Sequence, residues 1–229
     1  MTLLIQPGNS YFCTDGTDPA ILYVSGAILS PALTPNTWGG PRNTACRHSE
    51  SISALKAIEL VEAAQRAMAI GLPFNRHLTV HWEKSGLTDL QAAEATGRML
   101  KLITDWARKK GFAVPYAWVR ENGPDKGSHV HILLHLPEGF AMGLSRRWYR
   151  AATKCRRPRN GAVKTRRIGG TARSAVLASE WYQANLAKLL HYLLKGVDEP
   201  TAEALGLDAW AAGGDIAGKR LSISFKLRA

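Results

Sequence analysis

The sequence predicts an α+β fold, an antiparallel sheet with helices packed against one side of it. Three observations carry that expectation. Long segments repeat apolar residues at the 3.6-residue period of a helix, while shorter ones alternate apolar with polar residues or run apolar throughout. Two of the short segments, "FAVPYAWVRE" and "HVHILLHLP", flank the polar turn "NGPDKGS", which makes them a hairpin. The elements come in the order helix, strand, helix, strand, strand, helix, strand. At 229 residues and 45% hydrophobic content the chain suits one domain with decoration, and global disorder is excluded.

The elements follow in chain order. Residues 1–49 contain "LSPALTPNTWGGPRNTACRHS", rich in Pro, Gly, Thr and Asn, which reads as loop; "ILYVSGAIL" reads as a short strand. "SESISALKAIELVEAAQRAMAIGLP" is a helix with Ser49 or Ser51 as its cap and Gly71-Leu72-Pro73 as its stop. In "NRHLTVHWEK", Leu78, Val80 and Trp82 share one face, and His77, Thr79 and His81 share the other, so this strand has one wet face. "LTDLQAAEATGRMLKLITDWARKKG" is a helix capped near Thr88 and ended at Gly111. After the hairpin, "SRRWYRAATK" reads as a short helix, followed by a basic loop. "SEWYQANLAKLLHYLLKG" is a strong helix, "DEPTAEALGLDAWAAGG" a helical appendage, and "RLSISFKL" a closing strand. The expected division is an N-terminal extension, residues 1–73, carrying one long helix and packed on a domain of residues 74–229. That domain holds its core motifs in 74–196, a basic segment in 139–179 and a final strand in 220–228.

The net charge is +12 and the pI about 9.9, a balance that points to a polyanionic partner. The charge is concentrated. Residues 139–179 hold no Asp or Glu, yet contain Arg146, Arg147, Arg150, Lys154, Arg156, Arg157, Arg159, Lys164, Arg166, Arg167 and Arg173. Trp148 and Tyr149 interrupt the run and are expected to stack on bases. The three cysteines, Cys13, Cys46 and Cys155, are scattered and form no disulfide framework or zinc-ligand spacing. No export leader and no run of about eighteen apolar residues is present, so the expectation is a soluble, cytoplasmic protein of a reducing compartment without membrane contact.

Chemistry concentrates in two places. In "HVHILLHLP", His129, His131, Leu133 and His135 point to one side of the strand, and Val130, Ile132, Leu134 and Leu136 to the other. His129 and His131 on an open face have the spacing to grip one metal ion. Imidazole alone favours zinc, copper or nickel; Glu121, brought alongside by the hairpin, moves the preference toward magnesium or manganese. Three ligands with open positions is a catalytic pattern. His77 and His81 read as ordinary polar-face residues that can also help bind metal or DNA. In "NLAKLLHYLLKG", Leu186, Leu189, Leu190 and Leu193 form the apolar face, while Asn185, Lys188, Tyr192 and Lys195 form a polar stripe. A tyrosine between lysines at this spacing suits attack on phosphorus, the lysines favouring the phenolate and neutralising phosphate. Tyr182 reads as packing.

The combination of Glu121 with His129-Val130-His131, a basic segment, and "YLLK" about sixty residues later resembles the HUH endonuclease superfamily. Within it the match is similar to single-tyrosine rolling-circle replication initiators of plasmids and phages. It spans residues 74–196, with "FNRHLTVHW" in place of the first motif, "HVH" with Glu121 in place of the second and "YLLK" in place of the third. The resemblance implies a central antiparallel sheet with helices packed around it, ferredoxin-like or RRM-like. It implies that Glu121, His129 and His131 hold a divalent metal, magnesium or manganese. Tyr192 would then attack the scissile phosphate with help from Lys195, leaving a 5′-phosphotyrosine link and a free 3′-hydroxyl. The expected partner is single-stranded or hairpin DNA, contacted by Arg146, Arg147, Arg150, Arg156, Arg157, Arg166, Arg167 and Lys188, with a host helicase and polymerase as further partners. Three rivals stand beside it: a single-strand transposase of the same superfamily, a DNA-binding module without chemistry, and an unrelated metal hydrolase that adds His77, His81 or His135 to the pair.

Overall fold

The structure is a computed structural model that describes residues 48–155, 159–169, 179–207, 213–224 and 227. The strand read in "ILYVSGAIL", the contacts expected of Arg156 and Arg157, and part of the strand expected over 220–228 lie outside those residues.

The sheet is built around the predicted hairpin. Strands β3 (Tyr116–Gly123) and β4 (Gly127–Leu134) pair antiparallel with Glu121 directly opposite His129. The turn depends on Gly127, whose φ is +56° and whose Cβ, were there one, would meet the Glu83 carboxylate at 1.5 Å. Strand β2 (Arg76–His81) lies antiparallel against the other edge of β4, so Thr79 faces His131 and His81 faces His129. Helix α2 (Asp89–Lys109) connects β2 to β3, which therefore run parallel on either side of β4. Its start follows from its sequence: Thr88 accepts from the Gln91 amide and Gln91 answers with its side chain, a capping box.

Two strands complete the five-stranded antiparallel sheet, in the order β5-β2-β4-β3-β7. Strand β5 (Val163–Arg167) pairs with β2, and β7 (Leu221–Ile223) pairs with β3. The first of these corrects the sequence reading, which took this stretch for loop. β5 is an edge strand whose four residues after Val163 are all exposed, so no apolar alternation marks it. A small second sheet joins β1 (His48–Ser49) to β6 (Ile216–Ala217).

Helices cover both faces, not one. Helix α2 and α3 (Ser145–Thr153) pack on Leu78, Val80, Val130, Ile132 and Leu134. On the opposite face, α1 (Ala54–Ala69) and α4 (Glu180–Leu193) pack on Ala117, Val119, Leu133, Leu221 and Ile223. α5 (Glu199–Leu205) joins this second layer through Ala202. On β4 itself the apolar contribution to this layer is Leu133, fully buried two positions beyond His131. The second layer covers the β7-β3-β4 half of that face; β5 remains exposed at the other end.

Two local readings also change. The α1 cap is Ser53, and its side chain makes no capping hydrogen bond. Trp148 and Tyr149 are not available to bases: they are 6% and 0% exposed. Trp148 packs edge-on to Trp106, and the Tyr149 hydroxyl donates to the His81 carbonyl at 2.9 Å and accepts from Ser85. On a helix, 148, 149 and 152 fall on one side and 146, 147 and 150 on the other, so the aromatics anchor α3 and the arginines face outward.

Candidate metal centre and its basic rim

Glu121, His129 and His131 converge. Each offers one ligand atom, and these atoms all lie within 4.8 Å of one another. All three residues are at most 5% exposed, whereas the sequence reading placed them on an open face. His129 Nε2 lies 3.3 Å from one Glu121 oxygen and His131 Nε2 3.8 Å from the other. Neither approach is a hydrogen bond: His129 Nε2, His131 Nε2 and Glu121 Oε1 are buried without any partner.

The far sides of the two rings explain this. His129 Nδ1 lies 2.8 Å from the Gly127 carbonyl, which can only accept, so Nδ1 carries a proton and in the neutral ring Nε2 is the lone pair. His131 Nδ1 lies 3.0 Å from His77 Nε2 and 3.3 Å from Thr79 Oγ1. Burial, with help from Arg166, holds the His77 pKa down at about 4, so near neutral pH His77 is uncharged and can accept from His131. Both rings thus turn Nε2 toward the carboxylate. Outer hydrogen bonds of this kind fix ring tautomers at metal sites. Orphaned buried acceptors beside a carboxylate are the donor set a divalent cation takes, and the residues present fit one.

Lys195 shares the site. Its ammonium is 2.8 Å from Glu121 Oε2 and 4.1 Å from the Tyr192 ring centroid. Burial pulls the Lys195 pKa down, but Glu121 and Tyr192 outweigh it and the net shift is upward, so the ammonium stays charged. Burial alone would raise the Glu121 pKa; its basic neighbours reverse this and bring it to about 2. Near neutral pH burial keeps His131 uncharged, and Lys195 is a standing cationic partner of Glu121. The Tyr192 ring stands edge-on to His131, with centroids 5.5 Å apart. The last turn of α4 therefore delivers Tyr192 to the triad and the turn that follows delivers Lys195, while Lys188 remains exposed on the helix.

The basic residues divide between the two faces. On β5, Arg166 stands opposite His77 and Lys164 opposite Thr79, both on the face of the triad. His81 stacks on His129 at 5.3 Å, and its pKa falls to about 4 through burial, then His129, Lys84, Lys164 and Lys126. Lys84, Lys126, Lys164 and Arg166 thus form a positive rim beside the triad. Arg167 alternates to the other face. Arg146, Arg147 and Arg150 sit on α3, in the helix layer across the sheet from the triad. The structure does not gather them into one groove with the metal residues.

His135 does not join the triad: the ligand atoms that converge are those of Glu121, His129 and His131, and His135 instead places its Nδ1 2.8 Å from the Pro73 carbonyl. Tyr182 is fully buried, with its hydroxyl donating to the Phe74 carbonyl at 2.7 Å. Three features escaped the sequence reading. Arg220 is buried behind Glu121, hydrogen-bonded to the Ser49 and Gly214 carbonyls, with Nε and Nη1 unpartnered. The hold of His77 and Thr79 on His131 depends on strand register, which no local pattern reveals. Trp181, 57% exposed, lies eleven residues before Tyr192 and so on the same helical stripe, a spacing that was legible. Among the described residues no helix is long and apolar enough to cross a membrane. No protein-family model, no curated protein and no solved structure matches this chain.

Proposed function

We propose that the protein is a metal-assisted endonuclease and strand transferase acting on single-stranded DNA, exposed in a hairpin or an origin, with Tyr192 as nucleophile. The biological setting that fits the motif order is initiation of rolling-circle replication of a plasmid or phage. One observation carries the reading: three buried, unpartnered donor atoms of Glu121, His129 and His131 converge beside a tyrosine flanked by a charged lysine. A divalent metal held by these residues would supply Lewis-acid polarisation of the scissile phosphate.

The chain's own groups account for the remaining steps. The Tyr192 oxygen forms a bond to phosphorus and loses its proton. The bond from phosphorus to the 3′ oxygen breaks, and that oxygen takes up a proton. The products are a 5′-phosphotyrosine and a free 3′-hydroxyl, and attack by another 3′-hydroxyl reverses the step and joins strands. Lys195 remains charged beside the phenol and neutralises phosphate. The rim of Lys84, Lys126, Lys164 and Arg166 holds the strand. The split arrangement of β2, α2 and β3 around β4 is compatible with the HUH nuclease fold. The convergence of Glu121, His129 and His131 without His77, His81 or His135 disfavours a hydrolase with a third histidine ligand.

The test is incubation with a labelled single-stranded DNA pool and manganese, followed by denaturing electrophoresis of wild type and Tyr192→Phe. A DNA-linked protein band from wild type alone is expected. Free cleaved DNA from both proteins would assign a metal hydrolase instead, and binding without cleavage in both a silent DNA-binding module.

A further inference from the structure

Among the described residues, two separate surfaces gather basic side chains, and their chemistry differs. The rim at the triad shares its layer with an exposed aromatic. Trp181 on α4 is the aromatic member of the exposed large hydrophobic residues among those described, and it stands on the stripe of Tyr192 and Lys188. Across the sheet, α3 exposes cations and Ala151 but no aromatic. Arg146, Arg147 and Arg150 are exposed on its outer side, and Lys154 follows at its end in the left-handed conformation, φ +59°. A depression of 430 Å³ is lined by Arg147, Arg150, Ala151, Lys154 and Cys155. Among the described residues no carboxylate pairs with any of these four cations. The aromatics of the same helix, Trp148 and Tyr149, are spent on the core.

Unpaired strands are held by stacking on aromatic faces together with charge. A duplex hides its base faces and offers a regular phosphate array, for which cations alone suffice. Consecutive cations at 146, 150 and 154 are four residues apart, about 6 Å along a helix axis, so they form a continuous ridge. We infer that the α3 face is a second nucleic-acid site, one that grips the phosphates of double-stranded DNA while the opposite layer handles the single strand. That the duplex is DNA rests on the function proposed above; the phosphate-binding surface itself does not. In that arrangement one molecule spans the junction between paired and unpaired DNA, and the sheet separates the two.

The experiment uses the full chain, a fluorescein-labelled 20-base-pair duplex of arbitrary sequence and a 20-nucleotide single strand, with anisotropy read from 50 to 200 mM NaCl. Wild type is compared with Arg146→Gln/Arg147→Gln/Arg150→Gln, whose fold is checked by circular dichroism and by its manganese-induced thermal shift. Three lost phosphate contacts at about 0.9 each make the plot of log affinity against log salt shallower by about 2.7 for the duplex. The single-strand slope is expected to change by less than one contact. An unchanged duplex slope overturns the inference, as does an equal loss for the single strand. Lost binding to phosphatidylserine vesicles with duplex binding intact overturns it in favour of a lipid surface. Absence of a tyrosine–DNA adduct in the separate cleavage assay refutes the nuclease reading and leaves the duplex result standing.

Discussion

Glu121→Gln separates a metal site from a buried ion pair. The substitution keeps the side-chain volume and one acceptor oxygen but removes the charge. Metal at 100 times its dissociation constant stabilises a folded protein by about 2.7 kcal/mol. For a chain of this size each kcal/mol shifts Tm by about 2–4 °C, so manganese is expected to raise the wild-type Tm by about 5–11 °C. Loss of even an outer partner of a metal ligand weakens binding about 10–100-fold. A 100-fold loss brings the same manganese concentration down to the dissociation constant, where stabilisation is about 0.4 kcal/mol and the shift about 1–2 °C. Without metal the variant leaves Lys195 Nζ without the carboxylate it holds at 2.8 Å, with the lysine side chain only 13% exposed. Breaking such a pair costs about 3 kcal/mol, the low end of the range for buried pairs, because Lys195 reaches some solvent. Scanning fluorimetry with and without manganese reads both effects. An equal manganese shift in wild type and variant would refute Glu121 as a ligand. No shift in wild type at millimolar manganese would refute the centre altogether.

Three further outcomes follow from the same geometry. Trp181→Ala should weaken single-strand binding by about 1–3 kcal/mol and leave duplex binding unchanged in anisotropy titrations, since only the single strand stacks. Lys195→Met should tighten manganese binding, because the metal no longer competes with an ammonium for Glu121, while slowing adduct formation; titration and single-turnover gels read the two separately. His77, with its folded pKa lowered to about 4 chiefly by burial, contributes stability that is fully present above about pH 6.5. That contribution, at most about 3 kcal/mol, is lost as pH falls from 6.5 through 4. His77→Asn should flatten the melting profile over that window, and a slope equal to wild type's would sink the assignment.

What was legible in the sequence was local. Thr88 and Gln91 announce the start of α2, and the alternation of Leu78, Val80 and Trp82 with His77, Thr79 and His81 gives β2 its two faces. The three-residue turn at Pro124-Asp125-Lys126 sets Glu121 opposite His129, so the pairing of carboxylate and imidazole could be read from the hairpin. What was not legible depends on which elements become neighbours. β5 carries its cations at a sheet edge, where nothing apolar is required of it. The face that carries His129 and His131 is covered because α1 and α4 pack on Ala117, Val119, Leu133, Leu221 and Ile223, residues of three different strands, and bring Tyr192 against His131. Trp148 and Tyr149 were legible in principle, since helical spacing puts them opposite Arg146, Arg147 and Arg150, but their place in a basic run suggested stacking instead.

The case for a cation rests on counting protons at the triad. A purely structural ion pair would need Glu121 and Lys195 alone. Here two buried imidazoles are also aimed at the carboxylate, and a neutral His129, whose proton faces the Gly127 carbonyl, has none to give it. Burying such acceptors unpaired costs about 1–3 kcal/mol each. Lys195 relieves one carboxylate oxygen; Glu121 Oε1, His129 Nε2 and His131 Nε2 stay unsatisfied. A water molecule in their midst has two protons to offer and three acceptors to serve, so it leaves one wanting. A divalent cation satisfies all three at once and requires neutral imidazole and ionised carboxylate: burial keeps His131 uncharged and Glu121 is held at about 2. His77 and Thr79 behind His131, and Gly127 behind His129, then act as the supports that keep both rings turned toward it.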